Sequence, residues 1–253
     1  MVFRDLTTTL VLTQAQLKAR YRNTVAGIVW VILNPVIMFG AQAIAFKHIL
    51  KITIEDYYLY LLAGLVPWIF VIMTIQMATP ILAGSGPILK AFKLNPIILI
   101  FSQVLDNLLN FMLAFSIMFI PIQMMYGPPA WTIILCILPL FLMLIGISSL
   151  CTSLSLTQVF YRDTNYVVNF ITGVMFFVTP IFFTPEMVAT KYAWLFNFHL
   201  PYLYIDAFRA CFYHFDWNYF ILALGKCFLG TIFLVLNAKW SWHRNKNELY
   251  LRL

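Results

Sequence analysis

The side chains that could perform acid–base, nucleophilic or metal chemistry are few and widely spaced in this sequence. The four histidines have no partner at the spacing of a metal site: His48, His199, His214 and His243. Neither a GxSxG nor an HExxH motif is present. Asp56 follows Glu55 in a polar stretch, which is typical of a solvated loop. The sequence therefore predicts no catalytic residues and no metal site, and we do not expect an enzyme.

Two glycine-containing segments are candidates for phosphate binding. Residues 84–90 (GSGPILK) lack the Gly-Lys-Ser/Thr ending that wraps a phosphate, and Gly225-Lys226 has no glycine at the required distance before it. Residues 154–158 (LSLTQ) weakly resemble an ATPase signature but end an apolar stretch. We therefore expect this chain to bind no nucleotide.

Two charged residues, Asp106 and Lys226, interrupt long apolar stretches. A charge at the centre of a membrane helix costs roughly 2.5–3.5 kcal/mol on insertion scales. One interpretation is an ion pair between the two residues, and this is the one we favour. The alternative is that one of them faces a water-filled pathway.

The composition indicates which solvent surrounds these residues. Hydrophobic residues make up 62% and charged residues 10% of the 253 positions, against roughly 45–50% and about 25% in soluble domains. A soluble fold of this length could not bury so much apolar surface, so we expect a single transmembrane domain. Six stretches approach or exceed the roughly 20 apolar residues that a membrane-spanning helix needs: 24–46, 57–79, 97–122, 131–156, 166–184 and 219–238.

Three segments lie outside these spans. In residues 1–23 apolar side chains recur at helical spacing among polar ones, which predicts an amphipathic helix in the membrane interface; a frayed terminus is the alternative. Residues 185–218 are aromatic but too polar to span, and favour either an aromatic interfacial cover or short re-entrant helices. Residues 239–253 are predicted to be a cytoplasmic tail.

The basic residues predict the orientation of the spans. With both termini inside, the inner segments hold eleven of the 16 Lys and Arg residues and Lys226 lies within a span. The outer segments hold four: Lys47, Lys51, Lys191 and Arg209. This bias predicts cytoplasmic termini. Because the basic residues lie between apolar blocks and not on one water-facing surface, the formal charge of +7 does not indicate a nucleic-acid partner.

Four segments, in order along the chain, carry a family resemblance. The first is 14–35 (QAQLKARYRNTVAGIVWVILNP), with matches at Arg20, Tyr21, Ala26, Gly27, Trp30 and Pro35. The others are 64–68 (GLVPW), 160–163 (FYRD) with Thr179-Pro180-Ile181, and 198–209 (FHLPYLYIDAFR). Together they resemble the membrane subunit of bacterial polysaccharide ABC exporters. The fourth departs from the family pattern, because Leu200 stands where the family has Asn before Pro.

The resemblance implies the type-2 ABC exporter fold, which is an all-α integral membrane fold. It has six transmembrane helices, an N-terminal interfacial amphipathic helix and short re-entrant outer helices. It also implies a homodimer beside two copies of a separate ATPase, which would hold the ATP and Mg, with no cofactor in this chain. The expected cargo is a lipid-linked polysaccharide such as O-antigen, capsule or teichoic acid, and the expected location is the bacterial inner (plasma) membrane.

The resemblance also implies local roles. Loop 84–95 would contain the coupling helix that docks on the ATPase, with contacts from Ile88, Leu89, Lys90, Phe92 and Lys93. Aromatic rings on spans one, two and five would line the polysaccharide path: Trp30, Phe39, Tyr57, Tyr58, Phe176 and Phe177. The pyrophosphate head group would be received by Arg20, Tyr21, Arg22, Arg162 and Asp163. For Arg162 and Asp163 the alternative is a charge pair at a helix N-terminus.

Two other functions remain open at this point. A type-2 ABC exporter of drugs or lipids would have the same topology. A polytopic acyltransferase or glycosyltransferase should show paired intramembrane His or Asp residues, and the spans offer only Asp106.

Overall fold

The computed structural model describes residues 2–21, 27–92, 94–126, 131–192 and 194–252, and every side chain in them except those of residues 2–6, 19–21, 27–28, 30–32 and 250–251. Within these ranges all regular structure is helical. The α-helices are α1 (Val2–Tyr21), α2 (Gly27–Ala43), α3 (Tyr57–Ala78), α4 (Ile81–Gly84), α5 (Gly86–Phe92), α6 (Pro96–Tyr126), α7 (Ile137–Phe160), α8 (Thr164–Val178), α9 (Trp194–Phe198), α10 (Leu200–Arg209) and α11 (Trp217–Arg252).

Four of the described helices are long and apolar enough to cross a membrane: α3, α6, α11, and α7 together with the 3-10 turn Trp131–Cys136 that leads into it. Helices suit this environment because each satisfies its own backbone hydrogen bonds where no water is present. Two further apolar helices are shorter. Helix α2 has 17 residues and continues into a π-helical turn, Ile44–Ile49, and α8 has 15 residues. The predicted all-helical, multi-pass membrane protein is confirmed.

Helix α3 lies at the centre of the molecule. In its most apolar stretch 78% of residues are buried, against 17%, 28% and 33% for the other three long helices. It packs against α2, α6, α7, α8 and α10. Polar links fix some of these contacts: Gln76 Nε2 donates to Thr172 Oγ1 on α8 at 3.0 Å, and Ser155 Oγ on α7 donates to the Ala78 carbonyl. Such hydrogen bonds join helices where lipid supplies no hydrophobic driving force.

Helix α1 packs on α6 through a face of threonines. Thr9 and Thr13 are buried, and Thr13 Oγ1 donates to the Thr9 carbonyl at 2.9 Å. Leu10 and Val11 point away from the protein and are 63% and 58% exposed. The predicted N-terminal helix is therefore present, with Leu10 and Val11 exposed beside the polar Gln14 and Lys18, and its position in the membrane interface stays a prediction.

Residues 185–218 form a short helical layer at one end of the bundle. Two 3-10 turns, Pro185–Met187 and Thr190–Tyr192, precede α9 and α10. Helix α10 is almost entirely buried against α3, α7 and α11. Its Tyr204 ring packs over Gly146 of α7, where any Cβ would overlap the tyrosine oxygen. We call this end of the bundle, where α3 and α11 begin, the outer end, following the charge-based prediction.

Helix α11 extends beyond the predicted span six. The span was predicted to end at residue 238 and to be followed by a cytoplasmic tail, and the helix continues without a break to Arg252. Where it leaves the membrane stays a prediction. Residues 239–252 contain no Gly or Pro to end it. Leu249 is fully buried, and the Arg252 guanidinium lies 5.0 Å from the Phe160 ring centre at the end of α7. Polarity after residue 238 therefore does not mark the end of the helix.

Candidate functional site

Arg209, at the end of α10, lies where three of the resemblance-bearing segments meet. Its Nη2 donates to the Pro180 carbonyl at 3.0 Å. Its Cζ is 3.7 Å from the centre of the Tyr60 ring on α3. One helical turn further along α3, a Cβ at Gly64 would overlap Nη2, so only glycine leaves room for the guanidinium. The GLVPW, Thr-Pro-Ile and 198–209 segments thus converge on one side chain.

The electrostatics of Arg209 are those of a buried cation. The residue is 5% exposed, and a buried charge is tolerated only when its neighbours replace the lost water. The Pro180 carbonyl and the face of the Tyr60 ring do so through a hydrogen bond and a cation–π contact. Nε of Arg209 is buried and makes no hydrogen bond within the described part of the chain.

Asp206 precedes Arg209 by one turn of α10 and organises a group of tyrosines. Its Oδ1 accepts hydrogen bonds from the Tyr202 hydroxyl at 3.1 Å and the Tyr219 hydroxyl at 2.6 Å. Tyr219 belongs to the first turn of α11, so this carboxylate connects α10 to α11. The Tyr213 hydroxyl donates to the Glu55 carbonyl at 2.8 Å and ties the following loop to the start of α3.

His199 begins α10 as its N-cap. Its Nδ1 accepts a hydrogen bond from the Tyr202 backbone N–H at 3.2 Å, so Nε2 carries the proton of the neutral ring. Nε2 lies 3.3 Å from Thr179 Oγ1, to which it can donate. Burial lowers the pKa of His199 below its ordinary value, which favours this neutral form. The Thr-Pro-Ile segment is therefore held to both ends of α10.

The aromatic residues predicted to line a path lie close together but differ in exposure. Phe39, Tyr57, Tyr58 and Phe176 belong to one apolar cluster, and Phe177 contacts it through Phe176, with ring centres 5.4 Å apart. The Trp30 side chain lies outside the described residues. Tyr57 is only 1% exposed and packs inside the subunit, whereas Phe177 is 76% exposed.

Helix α8 also presents an aromatic stripe, of which the sequence analysis predicted only Phe177. Tyr166, Phe170 and Phe177 recur at helical spacing on one face and are at least 72% exposed. Gly173 lies between them on the same face, with open space where a Cβ would be. Helix α8 buries only Val168 and Thr172, so most of its surface is available to lipid or to another chain.

The predicted coupling segment forms the short helix α5. Ile88 and Phe92 are one turn apart and are 48% and 72% exposed, and Lys90 is also exposed. Leu89 is fully buried, which corrects its predicted role as a contact residue: it anchors α5 to the bundle and is not available to a partner. Lys93 lies outside the described residues.

The residues predicted to receive a head group are only partly described. Arg162 and Asp163 are exposed where α8 begins, and Asp163 is its N-cap residue without a side-chain capping bond. Gln158 Nε2 donates to the Arg162 carbonyl at 3.0 Å, which fixes the turn between α7 and α8. The side chains of Arg20 and Tyr21, and all of Arg22, lie outside the described residues.

The two intramembrane charges have different partners, so the favoured ion pair between them is wrong. Lys226 Nζ donates to Asn197 Oδ1 on α9 at 2.8 Å. Asp106 is fully buried on α6, and its Oδ2 accepts from Gln103 Nε2 at 3.3 Å. Measured along its helix, Lys226 lies about 14 Å from the start of α11, which is at the outer end. Asp106 lies about 15 Å from the start of α6, which is at the opposite end of the bundle.

The described residues show no group of three or more His, Cys, Asp or Glu side chains placed to hold a metal ion. Their four cysteines are free and buried.

Arg209, Tyr60 and Asp206 form the most organised polar group among the described residues. The sequence analysis used Arg209 only as a charge in an outer segment and as a position in a motif. The signal that could have identified it is Gly64, a glycine within an apolar helix.

Comparison with known proteins places this architecture in a family. Residues 7–213 match the family described as ABC-2 type transporter. The chain belongs to this family and is therefore a membrane component of a transporter, which confirms the family suggested by the sequence motifs.

Three curated relatives are similar to the chain at low identity. The O-antigen export system permease protein RfbA of Myxococcus xanthus is 28% identical over 68% of this chain and 66% of its own length. Two proteins of the same name from Klebsiella pneumoniae are 26% and 23% identical, over 75% and 90% of this chain and 74% and 88% of their own lengths.

Proposed function

We propose that this chain is the transmembrane subunit of an ABC exporter that carries a lipid-linked polysaccharide, of the O-antigen, capsule or teichoic acid kind, across the bacterial inner membrane. The observation that carries the proposal is the similarity to three permeases of O-antigen export systems, over as much as 90% of this chain. The polar group of Arg209, Tyr60 and Asp206 (the outer cluster) supports the proposal, because the side chains around Arg209 come from the same segments that carry the resemblance.

The proposed topology has six spans and cytoplasmic termini. The four long helices supply four spans, α2 with its π-helical turn supplies another, and α8 with residues 179–184 after it supplies the last. In this arrangement α9 and α10 are the re-entrant outer helices. Two copies of the chain would form the path between them, since α8 leaves its aromatic stripe uncovered.

Energy would come from two copies of a separate ATPase that binds ATP and Mg. The contact surface is α5, whose exposed Ile88 and Phe92 form an apolar edge beside Lys90. A short helix of this kind fits into a groove on a partner. Because Leu89 fixes α5 to the bundle, movement of the ATPase would be passed on as a rigid-body rotation of the spans.

The cargo would enter at the inner end and move along the aromatic stripe. Arginine side chains bind phosphate oxygens through paired hydrogen bonds, which suits Arg162, with Arg20 and Arg22, for the pyrophosphate of the lipid carrier. Aromatic rings stack on the apolar C–H faces of sugars while the sugar hydroxyls stay hydrated. Phe170 and Phe177 on α8 are exposed enough to serve this purpose.

Deletion of the gene for this chain tests the proposal. We expect surface polysaccharide to disappear, lipid-linked polymer to accumulate inside the cell, and the ATPase encoded beside it to co-purify with the tagged chain. Unchanged surface polymer, together with no co-purifying ATPase, would refute the proposal. Phe170→Ala combined with Phe177→Ala should block export at normal protein level. Phe141→Ala, at an equally apolar exposed position on α7, should not.

A further inference from the structure

A cavity of about 220 Å³ opens beside Arg209 at the outer end. Its walls come from the first turns of α3 and α11, the 3-10 turn Pro185–Met187, and α10. The path proposed above does not use this cavity, because the path runs along the exposed face of α8. The cavity lies within one subunit.

Four tyrosines give the cavity its aromatic walls: Tyr60, Tyr202, Tyr213 and Tyr219. Each hydroxyl proton is already committed to a protein acceptor, at the Phe183 carbonyl, Asp206 or the Glu55 carbonyl. The hydroxyl oxygens can therefore only accept further hydrogen bonds. The rings remain as flat apolar surfaces, so these walls suit a ligand that donates hydrogen bonds and also has an apolar face.

The charged groups of the cavity favour the same ligand. Glu186 lies at its rim, is exposed, and forms no hydrogen bond or ion pair with another described residue. Asp206 also lines the cavity, and both carboxylates can only accept hydrogen bonds. Arg209 is a cationic side chain of the lining, and its Nη2 already donates to the Pro180 carbonyl.

The balance of charge excludes a phosphate group as the preferred ligand. Two carboxylates, Glu186 and Asp206, face one guanidinium, and that guanidinium is already engaged by the Pro180 carbonyl and the Tyr60 ring. A second anion would be repelled. A neutral sugar ring has many hydroxyl donors for these acceptors and C–H faces to stack on tyrosine.

We propose that this cavity is a binding site for one neutral sugar residue of the exported polymer at the extracytoplasmic end of each subunit. The inference rests on the proposed function, because that function brings a polysaccharide to this end of the protein. The site would hold the emerging chain and thereby oppose its return when the spans close.

The test measures sugar binding by the purified full-length chain in lipid nanodiscs, using saturation-transfer difference NMR. The probes are neutral oligosaccharides released from the host cell's surface polysaccharide by mild acid, with inorganic phosphate as competitor. Glu186→Gln removes the rim charge without changing its shape, and Thr184→Trp fills the mouth of the cavity. Glu248→Gln, at an exposed position near the end of α11, is the matched control.

We expect saturable binding to the wild-type chain, at least fivefold weaker apparent affinity in Glu186→Gln and Thr184→Trp, and no change in Glu248→Gln or on adding phosphate. Absence of saturable binding, equal affinity in the cavity variants, or displacement by phosphate would each overturn the assignment. Should the deletion strain lose its surface polymer while no sugar binds, the assignment of the cavity is wrong and the exporter proposal stands. Should sugar bind while deletion leaves the polymer unchanged, the exporter proposal is the one that fails.

Discussion

The packing of Tyr204 against Gly146 gives the sharpest test of how residues 185–218, the outer layer, pack on the bundle. Gly146 of α7 and Tyr204 of α10 are both buried, and Tyr204 Oη lies 3.0 Å from Thr231 Oγ1 on α11. A Cβ at residue 146 would overlap Oη and lie 2.6 Å from Cζ of the ring. Gly146→Ala must therefore displace a tyrosine that connects three helices.

The size of the effect follows from three contributions. Overpacking costs about 1–3 kcal/mol, and losing the hydrogen bond to Thr231 costs about 0.5–1.5 kcal/mol. Alanine is favoured over glycine in a helix by about 1 kcal/mol. The same helix preference applies to Gly225→Ala on α11, where a Cβ would meet nothing. The helix preference therefore cancels, and the two variants should differ by about 1.5–4.5 kcal/mol, with Gly146→Ala the less stable.

The four free, buried cysteines make a thiol-reactive dye a direct reporter of unfolding in detergent. At roughly 2–4 °C per kcal/mol for a chain of this length, Gly146→Ala should unfold roughly 3–18 °C below Gly225→Ala. Tyr204→Phe in the Gly146→Ala background should recover part of the loss, because it removes Oη but keeps the ring. Equal unfolding temperatures for the two glycine variants would show that α10 does not pack on α7 as described.

The remaining predictions concern the outer cluster, the helix cap and the coupling surface. Arg209→Met should lower stability by about 2 kcal/mol in the same dye assay, since a hydrogen bond from a charged group is lost, and a wild-type unfolding temperature would contradict this. His199 has a lowered folded pKa, so the stability that its neutral ring contributes is present above about pH 6.5 and lost as the pH falls through the folded value. His199→Asn keeps a capping side chain and should flatten this acid-side loss, whereas an identical pH profile would exclude the role. Ile88→Ser with Phe92→Ser should abolish co-purification of the ATPase at unchanged unfolding temperature, while Leu89→Ser should lower that temperature; retained ATPase binding in the first variant would exclude α5 as the contact.

Hydropathy located the long helices well. The predicted spans 57–79, 97–122 and 131–156 correspond to Tyr57–Ala78, Pro96–Tyr126 and Trp131–Phe160. This agreement is expected, because a membrane-spanning helix needs about 20 consecutive, mostly apolar residues, and such a run can be recognised without knowing any tertiary contact. Hydropathy did not predict how far α11 continues to Arg252, because the polarity of residues after 238 indicates departure from the membrane and not the end of a helix.

The site was less predictable because its contacts join distant parts of the chain. Gly64 and Arg209 are far apart in sequence, and neither is unusual alone, so their contact required the packed structure. The sequence also did not show which side chains of a helix are buried against the protein, as Leu89 on α5 and Tyr57 on α3 illustrate. The favoured pair of Asp106 and Lys226 failed because residues near the midplane of separate helices need not face each other; each found a partner closer by.

The length of α11 has a mechanical consequence. Its 36 residues extend about 54 Å, whereas the hydrocarbon core of a bilayer is about 30 Å thick. Its last turn contacts the end of α7 through Arg252 and Phe160, and α11 packs along α7, so we expect the two helices to move together as one strut. A tilt of about 10° applied at this end would swing the opposite end by roughly 9 Å over that length. The outer layer, which rests on this strut through Tyr204 and Tyr219, would be carried along with it.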